Sequence, residues 1–453
     1  MKVRIGTQSL KVNSAIPLLQ ATLLMITFTA YHIWKIVPIF YFGLAGLLIC
    51  LVAMPVKKLL QLSFLLAPNI MAIKLSHDAS ALFGYFFIFV FLKYILINRK
   101  ITVHWSAFLF IISISITAII YDEYALILTG LRCFLFFLAI YTFFSNDWCT
   151  DLAYRESLLQ SYICGVTLCV ICGFAYYALS SFNILSGYFG GINNGRNFFS
   201  SLLSSGIALT LIYISHSKRS YIFHIFAIIL MLIAGILSNS RTFLASLGFV
   251  LILFSSMFTK RKMRLLATQI ILIGLTAILL FGDAIIPSLS NVLNRFAQDD
   301  VAGANGRVEA WMFYISKTVS SLPRFLFGNG LAQKYVVSGE IAVVEHSSIV
   351  ELFSTVGVVG TIVALQCFYN LFHSVVKKRK ALTFVDFVPF FCSLTCFLML
   401  SAMFSDILNF SLLISFLAAD YNIRMRIGFA EDHPNLRGKA LFPNCLPGTG
   451  KNF

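Results

Sequence analysis

The sequence predicts an all-α polytopic membrane protein of about 12–14 transmembrane helices, and three observations carry that expectation. Hydrophobic residues make up 59% of the 453 positions, 46 of them Phe, while charged residues make up 11% and mean hydropathy is +0.88. A soluble domain has roughly a quarter of its residues charged. Apolar runs of 15 to 24 residues recur along the chain, long enough for helices that satisfy their own backbone hydrogen bonds in lipid. Lys and Arg gather between alternate runs, as they do on the cytoplasmic face of a membrane protein. Together these features exclude a soluble enzyme, a disulfide scaffold, a disordered chain and an outer-membrane barrel, whose strands are short and alternating.

Taken in order, residues 1–14 form a basic cytoplasmic N-terminus with Lys2, Arg4 and Lys11. The first run, 15–31, has the flank of a signal sequence, but further spans follow, so an uncleaved signal anchor is expected. Runs at 36–56, 59–73, 81–97, 105–121, 124–144, 158–181, 198–214, 221–238, 242–258 and 265–287 complete eleven transmembrane helices within 15–287. The run 59–73 is short and contains Pro68. It must still cross, because otherwise Arg99 and Lys100 and every later basic cluster would fall opposite Lys57 and Lys58. Residues 288–346 make an outer, periplasmic loop of 59 residues with short helices of its own, and connections of that size are functional or disordered. Runs at 347–370, 384–404 and 406–422 supply three more helices within 347–422, and the polar stretch 423–453 is a cytoplasmic tail.

With these fourteen spans, 23 of the 34 basic residues fall on one face, nine on the other, and Lys93 and Arg132 lie within spans. The net charge of +16 is then explained by topology and by anionic lipid, and nucleic acid is not needed as a partner. None of the ten Cys lies in an outer loop, so a disulfide framework is not expected. Cys169 and Cys172 lack a His partner and are expected to pack as small apolar residues.

Four positions on the outer face carry candidate chemistry. Arg196, in the stretch Asn193-Asn-Gly-Arg-Asn197, precedes the span at 198, and Arg241, in Ser238-Asn-Ser-Arg-Thr242, precedes the span at 242. Both helices run inward, so each Arg stands at an outward N-terminus, where backbone N–H groups and the dipole favour anions. Arg307 follows Gly306 and opens a stretch with apolar residues at 308, 311, 312, 315, 319 and 322. That is helical spacing, with Asn305 as N-cap and Pro323 as its end. This helix is expected to lie on the membrane surface or to cover a cavity.

His346 precedes the inward helix beginning Ser347-Ser-Ile-Val-Glu-Leu352, where the dipole disfavours imidazolium and leaves a neutral ring able to accept a proton. Glu345 and Glu351 flank it and are candidates to orient it or to bind acceptor hydroxyls. Guanidinium matches phosphate through paired hydrogen bonds, so the set suits a diphosphate ligand beside a basic imidazole. Each residue also has a plainer reading. A single Arg is an interfacial anchor, His346 a satisfied loop residue, and Asp122 with Glu123 a solvated turn. Lys93 snorkels to the interface, and Arg132 takes a structural partner within its span. No P-loop, metal cluster or nucleophile elbow is present in an interpretable setting.

The ordered series Ser-Asn-Ser-Arg241-Thr, Gly306-Arg307-Val-Glu-Ala-Trp311, Gly328-Asn-Gly330 and His346-Ser-Ser-Ile-Val-Glu-Leu-Phe-Ser-Thr-Val-Gly357-Val-Val-Gly360 resembles the O-antigen ligase/polymerase superfamily over residues 190–370. Ser347 departs from the Asn common after the family's His. The resemblance implies a GT-C-like membrane glycosyltransferase working on the periplasmic face of the bacterial inner membrane without nucleotide sugar, cofactor or metal. Its donor would be a glycan on undecaprenyl diphosphate. Arg241, Arg307 and His346 match the family's functional positions, with Arg196 a further candidate. The resemblance implies a polymerase, which extends lipid-linked repeat units and works with a chain-length regulator, or a ligase, which transfers the glycan to lipid A–core. The competing class is a lipid-linked oligosaccharide flippase, in which internal repeats or charges deep in several spans are expected.

Overall fold

The computed structural model describes residues 15–75, 82–145, 151–180, 189–192, 195–216, 222–257, 263–272, 307–330, 336–337, 341–342, 347–376, 382–399 and 406–432, with scattered helical positions between 275 and 294. The described chain is helical apart from a two-residue antiparallel pair, β1 (Val336–Val337) with β2 (Ile341–Ala342). Helices α1 (Ala15–Trp34), α2 (Val37–Ala53), α3 (Val56–Leu66), α4 (Phe83–Asn98), α5 (Trp105–Tyr121) and α6 (Tyr124–Ser145) come first. Then follow α7 (Leu152–Leu179), α8 (Arg196–His216), α9 (Ile222–Leu237) and α10 (Arg241–Met257). The apolar α11 is Met263–Leu272. The last set is α12 (Arg307–Thr318), α13 (Leu322–Phe327), α14 (Ser348–Val375), α15 (Val388–Met399) and α16 (Asp406–Asp432).

Five of these, α1, α6, α7, α8 and α14, are long and apolar enough to cross a bilayer, and shorter apolar helices accompany them. Their outer surfaces carry large apolar side chains such as Val52 and Leu96, each 80% exposed. Water would penalise such a surface, and hydrocarbon does not. The chain is an all-α, multi-pass membrane protein.

Local sequence explains where helices begin and end. Pro38 sits in the first turn of α2, where its missing N–H costs nothing. Asp151 caps α7 by accepting from the Ala153 N–H. The α5–α6 turn closes on Asp122 in the left-handed region, φ 54°, a conformation Asp tolerates better than most residues. The short α3 continues as a 3₁₀ turn over Ala67–Ala72, whose larger rise per residue brings the segment to about 28 Å, near the thickness of a bilayer core. Nearly every residue of this segment is buried. Gly165 of α7 lets the two backbones meet, because a Cβ there would overlap the Leu65 backbone. Asn69 bridges the contact, donating to Leu65 O at 3.3 Å and Gly165 O at 3.2 Å.

The core between helices is aromatic. Phe410 of α16 meets Phe64, Phe83, Phe87 and Phe136 edge-on, with ring centroids 5.0 to 6.0 Å apart. At one end of the bundle lies a buried ionic knot. Arg155 of α7 pairs with Asp420 of α16 and donates to Val375 O at the end of α14, 2.9 Å away. Arg424 shares Asp420 at 2.6 Å. Asn422 donates to Asp386 at 2.6 Å and contacts His216 at the end of α8. Arg426 holds the other oxygen of Asp386 at 2.6 Å. The start of α7 and the ends of α8 and α14 are therefore drawn to one level.

Lys93 donates to Leu51 O, Val52 O and Met54 O at 2.6 to 2.8 Å. It caps the carbonyl end of α2, a defined role where snorkelling alone was expected. Cys169 donates weakly to Pro68 O and is buried, in keeping with packing use. Arg132 lies half-buried within α6.

Candidate active site

The opposite end holds the helix starts at Arg196 and Arg241. The α9–α10 connection is only Ser238-Asn239-Ser240, possible because Asn239 adopts φ 55°. That turn presses the start of α10 against the start of α8. Ser240 Oγ donates to Asn197 Oδ1 at 3.0 Å, Ser200 Oγ lies 3.2 Å from Ser238 Oγ, and Ser200 donates to Arg196 O at 2.6 Å. Gly235 leaves room for the Phe243 ring, which a Cβ there would overlap. Arg196 and Arg241, each half-buried, thus open two adjacent helices whose N–H ends lie side by side. Two adjacent helix starts, each opened by an Arg, make a setting for anions.

The second group is built by the large loop. α12 lays Ala310 and Tyr314 against Val350 of α14, and Thr318 reaches Ser354 through Asn329. Contacts advance in the same direction along both helices, so the N-termini at Arg307 and Ser348 open toward the same side. Glu351 sits half-buried in the first turn of α14, and the Ser347 cap makes no side-chain hydrogen bond. Glu345, His346 and the side chain of Arg307 lie outside the described residues.

α12 stops at Thr318, short of the spacing's limit at residue 322. Pro323 occupies the first turn of α13 instead, the position where a proline's fixed φ helps a helix start. The apolar positions Val308, Met312, Ile315 and Val319 face outward, while Ala310, Tyr314 and Thr318 are buried. Burial and the neighbouring Arg324 hold the Lys317 ammonium below the usual lysine range.

Between α13 and α14 the chain makes its tightest junction. α14 is broken at Gly357, φ 66° and ψ −169°, a conformation essentially restricted to glycine. Gly328-Asn329-Gly330 fills the break. Asn329 N donates to Ser354 O at 2.7 Å and Gly330 N to Thr355 O at 3.0 Å. Thr117 and Tyr121 of α5 donate to Phe327 O and Gly328 O, both at 2.7 Å. A Cβ on Gly330 would come within 2.6 Å of the Glu123 carboxylate, so Glu123 is docked on the loop and is more than a solvated turn.

Sequence reasoning singled out neither Asn329, Thr318, Thr117 and Tyr121 nor the Arg155–Asp420–Asp386 knot as chemistry. The Gly-Asn-Gly spacing signalled the first group. Carboxylates at 386 and 420 within apolar runs signalled the second. Among the described residues no cluster of His, Cys, Asp or Glu could hold a metal ion. No protein-family model matches the chain, and no curated protein matches its sequence.

Proposed function

We propose that the chain is a bacterial inner-membrane glycosyltransferase of GT-C-like fold that polymerises surface polysaccharide, transferring an undecaprenyl-diphosphate-linked glycan onto the next lipid-linked repeat unit. The observation that carries the reading is the pairing of Arg196 and Arg241 at adjacent helix starts. A diphosphate leaving group needs that concentration of fixed positive charge. Support also comes from the packing of α12 against the outer end of α14, through Ala310, Tyr314 and Val350 and through Asn329 on Ser354. Both termini are cytoplasmic in this reading, the large loop and the site are periplasmic, and the lipid tail enters from the bilayer. A chain-length regulator is a natural partner, because the transfer repeats on its own product.

In the reaction an acceptor hydroxyl attacks the anomeric carbon of the donor, and the bond from that carbon to the diphosphate oxygen breaks. The departing oxygen keeps the electron pair, and Arg196, Arg241 and Arg307 stabilise its charge. His346 takes the hydroxyl proton, with Glu345 and Glu351 placed to orient it or to hold acceptor hydroxyls.

Purified protein given a synthetic undecaprenyl-diphosphate repeat unit should build longer glycans and release undecaprenyl diphosphate without nucleotide sugar or added metal. Transfer only after lipid A–core is supplied would make it a ligase. Movement of lipid across proteoliposomes with no product would make it a flippase and end the glycosyltransferase reading.

A further inference from the structure

Asn329 is one of the residues that fasten the large loop to the membrane bundle. Asn329 is 1% exposed, and its backbone N–H and its side-chain Nδ2 both reach Ser354 O, at 2.7 and 3.2 Å. The same Nδ2 donates to Thr318 Oγ1 at 2.8 Å, whose own proton goes to Tyr314 O at 2.8 Å. Because Ser354 O only accepts and the Thr318 proton is committed, the amide orientation is set by chemistry. Among the described residues its Oδ1 is buried with no hydrogen-bond partner. Ser354 O would ordinarily serve the helix ladder one turn on. The break at Gly357 releases it, and Asn329 takes it up.

The consequence is mechanical. Gly357 divides α14 into an outer half-helix, 348–356, and an inner one, 358–375. The inner half is tied to the bundle through Tyr141, which donates to Cys367 O at 3.1 Å, and through Asn370, 3.0 Å from both His104 and Ser106. The outer half carries Glu351 and continues the chain from His346. Its orientation across a glycine hinge is set by α12 and by the loop wedged into the break.

We propose that Asn329 is a positioning residue: by joining Thr318 of α12 to Ser354 of α14 it fixes the outer half-helix, and so Glu351 in its first turn, relative to α12 and the rest of the bundle. The catalytic part of this rests on the glycosyltransferase reading, whereas the mechanical part does not. A displacement near 1 Å at reacting groups costs about 10²-fold in rate. Loss of the latch should therefore lower kcat while leaving the donor's KM within about twofold.

The test uses the full chain in lipid nanodiscs, with spin labels carried by unnatural amino acids at exposed Ile349 and Tyr369, one on each side of Gly357. Twenty residues separate them by at most about 30 Å, the length of an unbroken helix, within range of pulsed dipolar spectroscopy. The wild-type chain should give one narrow distance. Asn329→Ala and the near-isosteric Thr318→Val should broaden it and cut kcat about 10²-fold, while Thr318→Ser, which keeps the accepting oxygen, should restore both. Unchanged distances in Asn329→Ala and Thr318→Val overturn the latch, even if kcat falls. Broadened distances with kcat within twofold of wild type remove its role in transfer. If the wild type makes no glycan, the glycosyltransferase reading fails while the distances still decide the latch.

Discussion

A guanidinium and an ammonium carry the same charge, but only the guanidinium offers a planar fork to a diphosphate. Arg241→Lys and Arg307→Lys should therefore lose most transfer activity while the protein still inserts and folds. Arg324→Lys is the comparison, since Arg324 only reaches Ser320 within its own helix region, at 3.2 Å, and should be close to silent. Equal tolerance of Lys at all three, measured as polymer formed per minute, would mean that no paired phosphate contact exists. His346→Ala should slow transfer by about 10²–10⁴-fold, the usual loss for a missing general base. Gly357 tests the fold at the same scale. Alanine there meets both a glycine-only φ/ψ, costing about 1–3 kcal/mol, and overlap with Gly328 N and Leu326 O at 2.5 Å. Thermal unfolding in detergent should show Gly357→Ala clearly below wild type, and Gly248→Ala, where a Cβ meets nothing within 4 Å, unchanged or above it.

Between elements, the two ends of the bundle use polar groups differently. At one end, Arg155 and Asp420 are 0% and 1% exposed and form one group with Arg424, while Asp386 holds Arg426 and Asn422 in a second. Such a pair adds little over an apolar contact, but breaking it leaves a charge stranded. Arg155→Ala should cost about 3–5 kcal/mol, read as a large loss of folded protein in denaturant titration. Arg426→Ala should cost less, because its side chain is 22% exposed and water can replace it. A mild phenotype for Arg155→Ala would mean that Arg424 alone satisfies Asp420. At the other end, hydrogen bonds tie loop to helix: Thr117, Tyr121 and Asn329 hold backbone groups, not charges.

For the molecule as a whole, the proposed orientation places the arginine-bearing helix starts outside and the ionic knot inside. A cysteine introduced as Ala304→Cys in the large loop should react with an impermeant thiol reagent in spheroplasts, and Lys262→Cys should react only after lysis. Labelling of Lys262→Cys alone would invert the protein and remove the outer-face site. The knot joins the start of α7 with the ends of α8 and α14. Alternation between neighbouring helices then carries Arg196 and Arg241 to the opposite end.

Class, helical content and membrane residence were all legible from the sequence, because hydropathy and helix length are properties of a continuous stretch and need no partner. Helix starts at Arg196, Arg241 and Arg307 were legible for the same reason, since a turn or glycine followed by apolar periodicity is a local signal. Tertiary structure alone decided which of these starts lie together: the start of α8 lies beside that of α10 because Ser240 reaches Asn197, 43 positions away. It also decided that Pro323 begins a helix, that Lys93 caps α2, and that Gly357 breaks α14 to admit Asn329. Each of those outcomes depends on a backbone group freed in one segment and satisfied by another distant in the chain. No window of sequence contains both halves of such a bond.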